Sequence, residues 1–276
     1  MGERLLLANL ALVTTLLVSV LVVAVPSSEA ITFERTYGWE DDDYGCSVQQ
    51  TLDGGYIIAG WTESSGAGLD DIYLIKTDSF GTEVWERTYG GVAADVGLSV
   101  QQTLDGGYVV AGETWSFGAG YEDVYLVKVD PVGDTLWQKC YGGTDTDVGN
   151  SIQQTLDGGY IVAGATWSFG SGYNDVYLIK TDSLGETEWE RTYGDSLLDG
   201  GLSVQQTNDG GYIVAGWTES YGTGIADVYL VKTDSSGNVL WEVIHGGTSE
   251  DYGRSVQQTL DGGYIVGGGT WSFGAG

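Results

Sequence analysis

Apolar residues in this chain come in short runs, each closed by a polar turn, and the same order of runs returns several times. One pass reads 99–103 (SVQQT), ended by LDGG, then 108–114 (YVVAGET), followed by a loop of glycines and aromatics. It continues with 123–130 (DVYLVKVD) and, after a turn ending at Gly133, with 135–141 (TLWQKCY). Runs of this length, rich in Val, Ile, Tyr and Thr and bounded by Gly and Asp, predict four β-strands. Two of them are apolar at consecutive positions, which predicts strands covered on both faces. No amphipathic helical pattern occurs in residues 31–276, so the fold class expected is all-β.

The four-strand unit is a repeat. DGGY begins at Asp53, Asp105, Asp157, Asp209 and Asp261, a constant 52 residues apart. Trp85, Trp137, Trp189 and Trp241 share one slot, and so do Lys76, Lys128, Lys180 and Lys232. A sheet of about fifty residues cannot bury two apolar faces by itself, whereas radial stacking buries each face against the next sheet. The chain is therefore predicted to be a β-propeller of four-stranded blades over residues 31–276, with the Trp slot as inter-blade core. A linear β-solenoid fits less well, because its coils are shorter and lack these hairpin turns. Segment 31–38 (ITFERTYG) matches the fourth strand of a unit, as in 84–90 (VWERTYG), and strands one and two of a fifth unit, 255–259 and 264–270, end the sequence. Five blades are expected, the last incomplete, as in a fragment of a longer reading frame; the alternative is a ring with one defective blade.

Composition adds location and charge. With 46 Gly, 2 Pro and 18 Tyr the chain suits a turn-rich β-protein. Residues 1–30 place Arg4 before the apolar stretch 5–25, with Ser28 and Ala30 following, the pattern of an export signal or, uncleaved, of an N-terminal anchor. That predicts a secreted or cell-surface protein with no other membrane association, a monomer within a larger chain. The formal charge of −29 excludes nucleic acid as an expected partner and attracts cations. Cys46 and Cys140 lie in different slots of the repeat and are not expected to form a disulfide.

The phrase YIVAGWT…DVYLVKTDSSGNVLW (212–241) resembles the secreted β-propeller-repeat proteins of bacteria and archaea, and the layout is similar to a kelch blade. A kelch blade has its Gly pair after the apolar strand, whereas here Gly210 and Gly211 precede it. Asp78, Gly81 and Trp85 (DxxGxxxW) resemble the tryptophan-docking turn of quinoprotein-type propellers, with one residue fewer between Asp and Gly. The resemblance implies the fold and leaves function open.

Function in a repeat protein is expected where one face breaks the repeat. The loop after the second strand carries Trp115, Phe117 and Tyr121 in one unit and Trp167, Phe169 and Tyr173 in the next, while Trp61 and Trp217 stand two residues earlier in theirs. Aromatic faces beside carboxylates such as Glu122 and Asp145 suit a glycan or a protein ligand with basic residues. The competing reading is that these rings wedge between blades. Asp43, Asp95, Asp147, Asp199 and Asp251 recur just before strand one and could hold Ca2+, although a residue present in every blade is explained more simply by blade architecture. Asp71 and its equivalents are expected to cap a loop, and the Ser47 and Gln49 slots to satisfy backbone groups near the axis. His245 stands in a Tyr slot, so no His-based catalytic set can be assembled. The expectation is a non-catalytic binding scaffold without a cofactor; the alternatives are a carboxylate- or metal-dependent polysaccharide-active enzyme and a structural spacer.

Overall fold

Among the described residues eighteen strands form the framework, and each of the first four blades adds four in up-and-down order. Blade 1 contains β1 (Asp43–Gln50), β2 (Tyr56–Thr62), β3 (Asp71–Thr77) and β4 (Glu83–Tyr89). Blade 2 contains β5 (Asp95–Gln102), β6 (Tyr108–Thr114), β7 (Asp123–Val129) and β8 (Thr135–Tyr141). Blade 3 contains β9 (Asp147–Gln154), β10 (Tyr160–Thr166), β11 (Asp175–Thr181) and β12 (Thr187–Tyr193), and blade 4 contains β13 (Asp199–Gln206), β14 (Tyr212–Thr218), β15 (Asp227–Thr233) and β16 (Val239–His245). A fifth sheet has only β17 (Asp251–Gln258) and β18 (Tyr264–Thr270). This computed structural model describes residues 33–273; the reading of residues 1–30 as an export signal lies outside them. No helix among the described residues is long and apolar enough to cross a membrane.

The sheets stack about an axis as a β-propeller. Val48, Val100, Ile152, Val204 and Val256, one from each innermost strand, line a common central channel. Each blade turns one apolar face to the next. Ile57, Ala59, Ile72 and Leu74 of blade 1 meet Val100, Val110, Tyr125 and Val127 of blade 2, and the same set returns at the following junctions. The first blade faces no full predecessor among the described residues, so Val48 is 65% exposed where its equivalent Val100 is 7% exposed.

Strand one is longer than the sequence predicted, reaching back from Ser99 to Asp95. A bulge between Gly97 and Ser99 interrupts its register against β6 and hides the alternation that would have marked the strand. The inner edge of this strand faces the axis, where no further strand pairs with it. Side chains of the neighbouring blade take its donors instead: Val100 N–H donates to Ser47 Oγ (3.1 Å) and Gln102 N–H to Gln49 Oε1 (2.6 Å). Leu52 N–H donates in the other direction, to Gln102 Oε1 (2.8 Å). The Ser and Gln slots thus satisfy backbone groups near the axis, as expected.

The DGGY turn places Gly54 at φ +83°, and its Asp53 accepts from Gly55 N–H (3.0 Å) while pairing with buried Lys76 (2.9 Å). In the DxxGxxxW turn Asp78 Oδ1 accepts from Phe80 and Thr82 N–H, both at 2.8 Å. Trp85 then crosses to blade 2: its ring packs edge-on to Tyr108 (5.8 Å) and its Nε1–H donates to Pro131 O (3.2 Å). Tyr89, Tyr141 and Tyr193 each donate their hydroxyl to a carbonyl of the next blade's turn, Gly133, Gly185 and Gly237, at 2.7 Å.

The segment expected to act as an orphan fourth strand has the right contact and no strand pairing. Tyr37 donates to Gly81 O at 2.7 Å, as Tyr89 does to Gly133. Residues 33–39 nonetheless form no ladder among the described residues, because no third strand lies beside them to supply hydrogen bonds.

Candidate functional site: the loop end of the propeller

Two aspartates per blade build the end of the propeller that carries the loops after strands two, six, ten and fourteen. Asp123, at the start of β7, is buried and its Oδ2 accepts from Ala119 N–H (2.8 Å) and Gly120 N–H (3.2 Å), closing the aromatic loop over it. Asp71 does the same for Ala67 and Gly68, so this slot caps a loop as expected. Asp95 opens β5, and its Oδ2 accepts from Gly91 N–H and Ser116 Oγ–H, both at 2.7 Å. Asp147, Asp199 and Asp251 repeat that pattern, each tying its own turn to the Ser of its own blade's loop. Asp43 keeps it with Trp39 N–H (2.8 Å) and Ser64 Oγ–H (3.2 Å).

The two sets meet between blades. A Cβ on Gly142 would strike both Asp123 Oδ1 and Asp147 Oδ2, so only glycine fits there. Burial pushes the carboxyls of Asp71, Asp123 and Asp175 up, and the aspartate of the next blade adds to the rise. Among the described residues no group of three or more His, Cys, Asp or Glu is arranged to hold a metal ion.

The aromatic loops stand on this base. Trp115 is 53% exposed, held by its backbone N–H donating to Ala94 O (2.8 Å), and Tyr121 is 77% exposed. Trp167 and Tyr173 occupy the same places one blade on, with Trp167 N–H donating to Thr146 O (2.8 Å). Phe117 and Phe169 turn the other way: each leans on the third-strand tyrosine of its own blade, Tyr125 at 5.6 Å and Tyr177 at 5.8 Å, and reaches the preceding turn at Gly91 or Gly143. The loop thus exposes Trp, Tyr and Phe alike, with only the Phe leaning on a ring of its own blade. Trp61 and Trp217 stand within β2 and β14, not in the loops. Trp61 stacks on Tyr44 at 4.4 Å, and Trp217 meets Tyr252 edge-on at 6.0 Å.

The slot holding Trp61 and Trp217 is where the blades differ most, a position sequence reading touched without following it around the ring. Its other occupants are Glu113, Ala165 and Gly269. Burial pushes the Glu113 carboxyl up to about 7, with the charge of Glu122 adding to it. At the last junction Tyr252 gathers Trp217, Trp271 (5.9 Å) and the guanidinium of Arg254 (5.9 Å), with Glu250 at its hydroxyl (3.3 Å). Comparing the five copies slot by slot along strands one and two would have exposed this cluster. Both cysteines are free, Cys46 exposed and Cys140 half-buried. His245 ends β16 and stacks over Phe273 at 6.3 Å.

No protein-family model matches the chain. Regulatory protein FlaEY of Caulobacter vibrioides is 29% identical over 110 residues, a match to 35% of this chain; the chain spans 12% of that protein's length. Among solved structures, a Bacteroides caccae protein of unknown function superposes with a TM-score of 0.48 at 14% identity, over 80% of this chain and 69% of that one. Sqt1 from Chaetomium thermophilum superposes at 0.40 and 15% identity, over 78% and 64%. The architecture itself, four-stranded sheets around one channel, defines the class: a β-propeller scaffold.

Proposed function

We propose that this chain is a non-catalytic, exported β-propeller that binds a glycan through the loop end. The observation that supports it is the outward Trp and Tyr pair, Trp115 with Tyr121 and Trp167 with Tyr173, set at one place on successive blades. Flat rings repeated along an arc suit a ligand that also repeats, and sugar rings stack on exposed aromatic faces. Glu122, whose charge is favoured by the nearby Trp115 side chain, and Asp145 supply acceptors for hydroxyls beside the rings. Export to the medium or the cell surface rests on residues 1–30 alone.

A protein ligand with basic residues is the second reading. The formal charge of −29 favours it, since an acidic face steers cationic partners at low salt. A glycan array probed with the wild type and with a Trp115→Ala/Trp167→Ala double variant tests the first reading. Loss of signal at an unchanged melting temperature supports it. Equal signal from the two proteins would sink it, and binding that vanishes only as salt is raised would favour the cationic protein.

A further inference from the structure

The end of the propeller opposite the aromatic loops carries two turns per blade, an inner one between strands one and two and an outer one between strands three and four. Leu52, Leu104 and Leu156 stand on the inner turns of blades 1 to 3 at 90, 84 and 87% exposed, and Phe80, Val132 and Leu184 stand on the outer turns, each more than half exposed. Blade 4 has Asn208 and Ser236 in these two slots.

The fold does not require the apolar side chains. Leu52, Leu104 and Leu156 donate their N–H to a glutamine of the next blade, Gln102, Gln154 and Gln206, at 2.8–2.9 Å, and Asn208 makes the same bond to Gln258 at 2.9 Å. Phe80, Val132 and Leu184 donate their N–H to the Asp that opens their turn at 2.8–2.9 Å, and Ser236 does so at 2.8 Å. Asn and Ser therefore build the same turns without exposing oily surface. Nor are the leucines scattered. Gln102 takes the Leu52 N–H and donates its own Nε2–H to Gly106 O (3.5 Å) in the turn of Leu104. Gln154 links the turns of Leu104 and Leu156 in the same way, through Gly158 O at 3.3 Å. These bonds fix the three turns side by side round the mouth of the central channel, and an apolar patch held there without a structural task marks an interaction surface.

Charge selects the occupant. Lys76, Lys128 and Lys180 lie below the surface and pair at 2.9 Å with Asp53, Asp105 and Asp157, whose carboxylates are more than half exposed. Glu83 and Asp134 are exposed beside the outer turns. The cations are thus beneath and the carboxylates outward. Leucines set among outward carboxylates repel a second copy of this acidic chain and an anionic bilayer, and they complement apolar residues interspersed with Lys or Arg.

We infer that this turn end is a docking surface, separate from the aromatic loops, for a basic amphipathic segment of a partner protein. The leucines and the outer apolar side chains receive its apolar residues, and Asp53, Asp105 and Asp157 receive its cations.

The test titrates the full chain with a labelled leucine and lysine peptide, KLLKKLLKLLKKLLK, followed by fluorescence anisotropy, with a charge-matched peptide bearing serine for leucine as control. Saturable binding of the first peptide is expected, at least about tenfold tighter than the control, with slowed amide exchange at residues 51–54, 103–106 and 155–158. Leu52→Asn/Leu104→Asn/Leu156→Asn copies blade 4, leaves net charge and melting temperature unchanged and should weaken binding at least about tenfold. Phe80→Ser/Val132→Ser/Leu184→Ser gives a second reading of the same loss, and Trp115→Ala/Trp167→Ala should bind as the wild type does. Equal binding of the two peptides, or undiminished binding by the triple variants, overturns the inference, because charge alone would then hold the peptide. Slowed exchange at the aromatic loops instead overturns it too. So does a wild-type dimer, or flotation with phosphatidylcholine vesicles, that the leucine variant loses, since the face would then serve a second copy or a bilayer.

Discussion

Glu113→Gln isolates the electrostatics of the variable slot. Glu113 sits on β6 between Val96 of β5 and Val124 of β7, and burial raises its carboxyl from 4.5 to about 7, with Glu122 contributing. Between those two values the folded chain keeps a proton that the unfolded chain has lost. Stability therefore falls as pH rises through that window, by about 1.4 kcal/mol per pH unit and about 3 kcal/mol in all, and levels off once both states are ionised. Glutamine has no proton to lose, so the variant is spared this fall. Urea unfolding followed by tryptophan fluorescence, at about pH 5 and about pH 8, should show the variant gaining about 2–3 kcal/mol on the wild type across the interval. All other titrations are common to the two proteins and cancel in the difference. Parallel stability curves would refute the reasoning, because they would mean that Glu113 ionises as freely in the folded chain as in the unfolded one.

Three further outcomes are expected. Trp137→Ala removes the ring that meets Tyr160 edge-on at 5.7 Å and, since this indole is half-buried, should cost about 3 kcal/mol, the low end for a core aromatic; an unchanged melting curve would remove the docked Trp from the inter-blade core. Tyr141→Phe strips the 2.7 Å bond to Gly185 O and should cost about 1 kcal/mol, read as faster hydrogen exchange across the junction of blades 2 and 3 than elsewhere. Hydrogen bonds from Thr51 and Lys76 hold Asp53 at about 2, and those from Thr207 and Lys232 hold Asp209 there too. Their stabilisation is present above the ordinary value of 3.8 and is lost as pH falls towards about 2, so Asp53→Asn/Asp209→Asn should flatten the acid limb of the stability curve; both carboxylates are more than half exposed, which keeps the effect small.

Much of the architecture was legible because the repeat prints its local rules five times. The hairpin glycines, the consecutive apolar positions of β6 and β7, and the Trp after each DxxG turn reveal strands, turns and two-sided burial from neighbours in sequence alone. The candidate site was legible only in part. Trp115 and Phe117 are two residues apart in one loop and look equivalent in a string of letters. That Phe117 leans on a neighbouring ring depends on Tyr125 and on the turn at Gly91 in the previous blade. The start of β5 was hidden by its bulge, and the value of Glu113 by the burial around it.

Strand period, turn chemistry and the need to cover two oily faces are short-range properties, and the order of residues determined them. Partnership across blades was decided by the tertiary structure. Ser47 meeting Val100, Tyr89 meeting Gly133 and paired aspartates over Gly142 all depend on which faces come together across blades. Side-chain spacing along one strand cannot encode that distance; only the packing of whole sheets about their axis does.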